Sequence, residues 1–208
     1  MKFDHQKRIL DIIVASILTV AFLPFWIIIP ILIYLDSGVP IIFSHERLGK
    51  DGEKFMIFKF RSMVPNAHKI LHEHNSELLK QFKEKDWKIE ADEDPRITKL
   101  GRLLRALTID EFPQLLNVLR GEMSMVGPRA YMEQELKEQT NRYPQTKKHL
   151  PDILSVKPGI TGVWQTSGRN KIGFPQRAKM DAQYARHRSI WKDIYILLKT
   201  PKAMLSKW

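Results

Sequence analysis

The chain has 208 residues, no cysteine and a formal net charge of +11. That length holds one domain with a real core, or one domain and an anchor. Without cysteine there are no disulfides and no thiolate metal sites, and the basic balance points to anionic partners: nucleic acid, phospholipid headgroups or phosphorylated substrates.

In chain order, the first feature is "IIVASILTVAFLPFWIIIPILIYL", residues 12–35, which is 24 positions without a charge. That exceeds the roughly 20 residues a helix needs to cross a bilayer. A secretory signal has an apolar region of about 7–15 residues and a small-residue cleavage site, and "YLDSGVP" at the end of this run supplies no such site. Pro24 lies near the middle and lacks the donor a helix needs, so a kink or break is expected there. Lys2, Lys7 and Arg8 precede the run, and Arg47, Lys50, Lys54, Lys59 and Arg61 follow it. Positive flanks mark the cytoplasmic side, so basic residues at both ends favour a helix that enters, breaks at Leu23-Pro24 and returns; a single spanning helix is the alternative. Ser16 and Thr19 would bond to carbonyls freed at such a break.

Next, Ile41 to Phe43 and Phe55 to Phe60 are short β-rich pieces on either side of "GKDG", a turn signal, and predict a β-hairpin. Residues 65–90 read as a charged, weakly amphipathic helix with Ile70, Leu71, Leu78, Leu79 and Phe82 apolar. His68, His72 and His74 on it have spacing that a metal could use, but a solvated charged helix is the better reading. "EADEDPR" is a loop and "ITKLGRLLRAL" a helix with one basic face.

The stretch "ALTIDEFPQLLNVL", residues 106–119, places Asp110 and Glu111 side by side at the mouth of a helix. Phe112, Leu115, Leu116 and Leu119 recur as one apolar face, Gly121 is a stop signal, and Pro113 fits the first turn, which puts Asp110 at or near the N-cap. Helix capping is the plain explanation of such a pair. Its surroundings add another: Arg102, Arg105, Arg120 and Arg129 flank it, "VGPRA" is a rigid turn presenting Arg129, and "KFR" offers Lys59 and Arg61. Without such cations a carboxylate could not approach a diphosphate, and an aspartate that attacks phosphorus makes an acyl-phosphate. "SVKPGITGVWQTSGRN" is a structured loop. The segment after it, from Arg169, carries ten Lys or Arg with an apolar stripe of Trp191, Ile194, Tyr195 and Leu198. That stripe favours an anionic membrane surface over nucleic acid.

"KFRSM", "DPRITKLGRLLR", "TIDEFPQLLNVLRGEMSMVGPRA" and "KPGITGVWQTSGRN" occur in the order and spacing of the bacterial sugar transferases, and the N-terminal "KRILD" with its proline-broken hydrophobic run is similar too. The resemblance covers residues 7–200 and rests on several long motifs in register. It implies a monotopic phosphoglycosyltransferase that moves a sugar 1-phosphate from a UDP-sugar to undecaprenyl phosphate, releases UMP, uses Mg2+ and opens exopolysaccharide, capsule or lipopolysaccharide O-antigen assembly. Asp110 matches the family's nucleophile and Glu111 its partner, associated with magnesium and proton handling. Lys59, Arg61, Arg105 and Arg129 match the phosphate site, Gly127-Pro128 and the "KPGITG" loop the nucleotide-side scaffold, and Leu23-Pro24 the helix break. Three motifs depart from the common pattern: "GEMS" carries Glu122 in place of aspartate, "PRA" carries Ala130 in place of proline, and "SHERLG" replaces a glutamine-arginine form.

The expected fold class is α/β, mainly helical and membrane-associated, with a re-entrant N-terminal helix over 1–36 and a catalytic domain over 37–208. That domain should hold a small β-hairpin or sheet and basic amphipathic interfacial helices. The expected location is the cytoplasmic face of a bacterial inner membrane, in contact with membrane lipids and not with nucleic acid; a homo-oligomer stays open. The rivals are a membrane-tethered nucleic-acid-binding protein and a non-catalytic scaffold. UMP release from UDP-sugars separates all three.

Overall fold

The computed structural model describes residues 2–87, 89, 91–168 and 172–204, without the side chains of Lys2 and His74. Arg169, Lys171 and Lys207 of the basic C-terminal segment, and the end of "SGRN", lie outside the described residues. The elements are mainly helical. Helices α1 (Lys2–Ala21) and α2 (Leu23–Ser37) come first, then strands β1 (Ile42–Leu48) and β2 (Lys54–Phe60). Helices α3 (Ala67–Lys69), α4 (Ser76–Glu84), α5 (Lys99–Ala106) and α6 (Gln114–Arg120) follow, then strand β3 (Ser124–Val126). Helices α7 (Glu133–Arg142) and α8 (Leu150–Leu154), strand β4 (Gly159–Thr161) and helices α9 (Phe174–Arg186) and α10 (Ile190–Met204) complete the chain.

The apolar N-terminal run is two helices that meet at Phe22, bent by 61°. No single helix among the described residues is long and apolar enough to cross a membrane. Pro24 sits in the first turn of α2, where its missing N–H interrupts nothing. The Thr19 hydroxyl bonds to the Ala15 carbonyl at 2.8 Å, one turn back, rather than to a carbonyl freed at the break. Phe22 and Phe25 at the elbow pack on Phe112, with ring centroids 4.7 and 6.4 Å apart.

The expected hairpin is present. β1 and β2 pair antiparallel from Ile42↔Phe60 to Leu48↔Lys54, around the turn at Lys50–Gly52. The helix expected over 65–90 is broken instead: α3 runs into a π-helical turn at Ile70–His74, and α4 restarts after Asn75, whose side chain caps it by accepting from the Leu78 N–H. An asparagine that bonds the backbone in this way competes with helix continuation. β3 and β4 form a short parallel pair, Ser124↔Gly159 and Val126↔Thr161. Here two backbones touch: a Cβ on Gly159 would lie 2.0 Å from the Gly127 nitrogen, and one on Gly127 would lie 2.6 Å from the Lys157 carbonyl oxygen. Only glycine fits at these positions.

One core cluster joins distant parts of the chain. Ala15 of α1, Leu115 and Val118 of α6, Met123, Met125 and Val126 around β3, Tyr184 of α9 and Ile196 of α10 are buried together. Polar groups fasten α1 to the same body. The Lys7 ammonium is 2.6 Å from Asp193, which also accepts from the Tyr184 hydroxyl at 2.7 Å. Asp11 accepts from the Ser124 hydroxyl and the Met125 N–H at 2.9 and 3.0 Å. Arg8 donates to the carbonyls of Val118 and Leu119, the open end of α6. At the far end of the anchor, Ile29 and Ile33 of α2 pack with Phe60 and Leu104.

Candidate active site

The acid pair lies in a 3-10 turn, Ile109–Glu111, and not at the N-cap of α6. Pro113 cannot donate, so the helical ladder of α6 begins only after it. Thr108 enters the turn with φ 57, a left-handed backbone that a β-branched residue rarely adopts. The expected apolar stripe is only partly the buried face: Gln114, Leu115, Asn117 and Val118 are buried, while Leu116 is exposed.

Asp110 is 4% exposed. Burial is the main cause that pushes its carboxyl up to about 6, and Glu111 beside it acts in the same direction; Lys59 and Arg105 pull the other way. The Lys59 ammonium contacts Glu111 Oε1 at 2.5 Å. Arg105 is held by its Nε donating to the Ser62 hydroxyl at 2.9 Å. Two carboxylates, one buried and one paired with an ammonium, thus differ sharply in environment, the condition for adjacent acids to take separate roles.

Beside the pair is a small open cleft lined by Lys59, Glu111, Gln114, Arg47, Arg129 and Gln165 among others. The strands explain why these residues converge. β2 presents Lys59, β1 presents Arg47, and the β3–β4 contact fixes the turn after Val126. Across that turn Gly127 donates to the Thr161 carbonyl at 3.0 Å and the Gly159 N–H to the Pro128 carbonyl at 2.8 Å. Arg129 follows directly. Its backbone N–H donates to Asp181 at 3.2 Å, and its guanidinium lies 3.7 Å from Glu135 and over the Trp164 ring. Burial pushes the Asp181 carboxyl up to about 7, against the Arg129 N–H and the Tyr131 hydroxyl that hold it down.

Lys59 and Arg105 thus lie near Asp110, and Arg129 lines the same cleft as Glu111, while Gly127 and Pro128 form the turn that leads into Arg129. Arg61 points elsewhere. β2 ends at Phe60, and the Arg61 guanidinium turns to the end of α2, donating to the Ser37 hydroxyl at 2.8 Å and the Gly38 carbonyl at 2.6 Å. It braces the anchor where the chain leaves it. Leu23 and Pro24 lie at the elbow, where Phe22 packs on Phe112, the residue after Glu111. His68 and His72 stack on each other at 4.2 Å.

Several residues were not singled out by sequence. Arg47 donates to the Ala130 carbonyl at 3.0 Å and to Glu135 at 3.3 Å, while its Nε is 2.9 Å from His45 Nε2. Burial and the neighbouring guanidinium push the His45 imidazole down to about 2, so it stays neutral and accepts that bond. Asn117 is fully buried and ties α6 to β2: it accepts from the Phe58 N–H and donates to the Met56 carbonyl. Its amide also donates to Glu122 at 2.7 Å, so the "GEMS" departure is accommodated in a bonded geometry. The signal available in sequence was the polar pair Gln114 and Asn117, three apart inside an apolar helix pattern.

The chain is 40% identical over 206 residues to a protein of Erwinia amylovora named UDP-galactose-lipid carrier transferase, covering 97% of this chain and 40% of that protein. It is 39% identical to an undecaprenyl-phosphate galactose phosphotransferase of Salmonella typhimurium over 97% of this chain and 40% of the relative. It is 36% identical to the exopolysaccharide production protein ExoY of Sinorhizobium fredii, over 97% of this chain and 87% of that one. The chain thus spans about two fifths of the length of the first two and most of the third. The family model described as bacterial sugar transferase matches residues 3–207, every element from the anchor to α10, and the chain belongs to that family.

Proposed function

We propose that this protein is a phosphoglycosyltransferase that moves a sugar 1-phosphate from a UDP-sugar to undecaprenyl phosphate, and that Asp110 carries the sugar phosphate between them. The observation that supports this most is a buried carboxylate beside a cleft lined by Lys59, Arg47 and Arg129. In the first step an Asp110 oxygen attacks the sugar-linked phosphorus, the bond from that phosphorus to the bridging oxygen breaks, and UMP leaves. In the second, an oxygen of undecaprenyl phosphate attacks the same phosphorus, forms the diphosphate and frees Asp110. The cations screen the approach of one anion to another and stabilise the charge that develops on phosphorus. With its carboxyl at about 6, Asp110 is mostly ionised at neutral pH and is a stronger nucleophile than an ordinary aspartate.

Two adjacent carboxylates fit a magnesium ion, which binds through one or two carboxylates and takes its other ligands from phosphate and water. Among the described residues no cluster of three or more acids or histidines exists to hold a metal by protein alone. Glu111 would hold the ion, which supplies neutralisation of the diphosphate. Lys59 keeps Glu111 oriented.

The reading extends to the membrane. Residues 1–36 are the inserted part, entering and returning at the elbow, and 37–208 the catalytic part on the cytoplasmic face of the inner membrane. Both ends of the anchor are attached to one body, the first through Lys7, Arg8 and Asp11 and the second through Arg61 and the β1 strand, which supports a re-entrant course. α10 turns Trp191, Tyr195 and Leu198 outward with i, i+4, i+7 spacing, Trp191 80% and Leu198 76% exposed, as an interfacial helix does.

UMP release from a panel of UDP-sugars with undecaprenyl phosphate and magnesium tests the activity. With UDP-sugar alone, intact mass should find a sugar-phosphate adduct on the peptide holding Asp110. The Asp110→Asn variant should show neither adduct nor turnover, and near-normal turnover in it would overturn the assignment.

A further inference from the structure

We infer that Gln114 binds the transferred phosphoryl group, its carboxamide N–H donating to a non-bridging oxygen on the phosphorus that Asp110 attacks. This rests on the proposed function and adds a residue to its machinery. Gln114 opens α6, four residues after Asp110 and three after Glu111, and its side chain lines the cleft with Lys59, Glu111 and Arg129. The residue is 2% exposed, yet its Nε2 is buried with no hydrogen-bond partner in the protein. A buried donor left unpaired is destabilising and rare in folded proteins.

The same helix shows that the fold can satisfy a buried carboxamide. Asn117, one turn on, uses its oxygen and its nitrogen on Phe58, Met56 and Glu122. The donor of Gln114 is left for something that enters the cleft. The cations around it each have a carboxylate nearby, Lys59 against Glu111 and Arg47 and Arg129 at 3.3 and 3.7 Å from Glu135. A neutral donor is the group that can sit there without drawing Glu111 away from Lys59 or adding a charge beside Asp110. The last torsion of a glutamine is soft, so its N–H turns to a ligand oxygen at little cost. A phosphate oxygen is the acceptor that the proposed substrate would bring to this cleft, and a donor aimed there stabilises the transition state more than the bound substrate.

The experiment uses the full chain in detergent or nanodiscs with UDP-sugar, undecaprenyl phosphate and magnesium. Gln114→Met is neutral, similar in length and has no donor; Gln114→Glu keeps the shape and replaces the donor by an acceptor. In both, kcat should fall by roughly 100-fold with KM for the UDP-sugar little changed. Sulfur replacing one non-bridging oxygen of the sugar-linked phosphate is a poor acceptor, so one diastereomer should slow the wild type, and that selectivity should shrink in the variants. Turnover within about twofold of wild type, or unchanged thio selectivity in folded variants, would overturn the role of Gln114 alone. Absence of UMP release by the wild type would overturn the functional reading, and this inference with it.

Discussion

Asp110 sits where burial and its neighbour Glu111 oppose two cations, and the balance leaves its carboxyl at about 6. The rate should therefore fall along an acidic limb centred near pH 6 as the nucleophile is protonated; a limb at the ordinary carboxylate value would show the site to be better solvated than this. Stability moves the opposite way. The folded state binds the Asp110 proton more tightly than the unfolded state, so the ionised form weighs against folding above pH 6, and this penalty fades as pH falls towards 4. A difference of this size corresponds to roughly 3 kcal/mol. Asp110→Asn should accordingly melt higher than wild type at pH 8 while being inactive, and should lose that advantage near pH 4, which thermal melts at the two pH values will check. The acid pair and the cations Lys59, Arg105 and Arg129 were legible in the sequence because charge density and motif spacing survive without coordinates. Gln114, Asn117 and Arg47 were not, since a carboxamide in an amphipathic helix and an arginine in a hairpin look like ordinary surface residues. Only the pairing of β2 with β1 and the packing of α6 on β2 turn them inward.

At the level of elements, the hairpin and the helices α5, α6 and α10 were readable from periodicity and turn chemistry. The three-residue strands β3 and β4 were not, because their pairing depends on Gly127 and Gly159 letting two backbones touch. Nor was the docking of α1, whose charged residues looked like the flank of a membrane segment. In the structure Lys7 is 8% exposed and bonded to Asp193. Removing one partner of such a buried pair leaves an uncompensated charge and costs about 3–5 kcal/mol, whereas replacing both with apolar residues is far milder. Lys7→Met and Asp193→Leu should each lower the melting temperature markedly, and the double variant should recover much of the loss. Additive losses would mean that the two charges act independently.

For the whole molecule the question is on which side of the bilayer each end of the anchor lies. With no cysteine in the sequence, single probes are clean: Gln6→Cys before the anchor and Glu77→Cys in the catalytic part. Both should resist a membrane-impermeant maleimide in intact cells and react once the cells are opened. Labelling of position 6 alone in intact cells would mean that α1 and α2 span the membrane and that the elbow only bends them. The sequence favoured the returning course from the charge on both flanks and left the spanning one open; what bears further on the choice is contact between residues far apart in the chain. That same contact bears on how the protein is made. Lys7 leaves the ribosome early, and its partner Asp193 is synthesised 186 positions later, a delay of roughly 10–40 s at bacterial rates of elongation. Throughout that interval the Lys7 ammonium lacks its partner, whereas the groups that hold Arg8 and Asp11, at 118–119 and 124–125, are synthesised well before it. Water has to serve in place of Asp193 until then. The Lys7–Asp193 contact can therefore close only after every element from α1 to α9 has been synthesised.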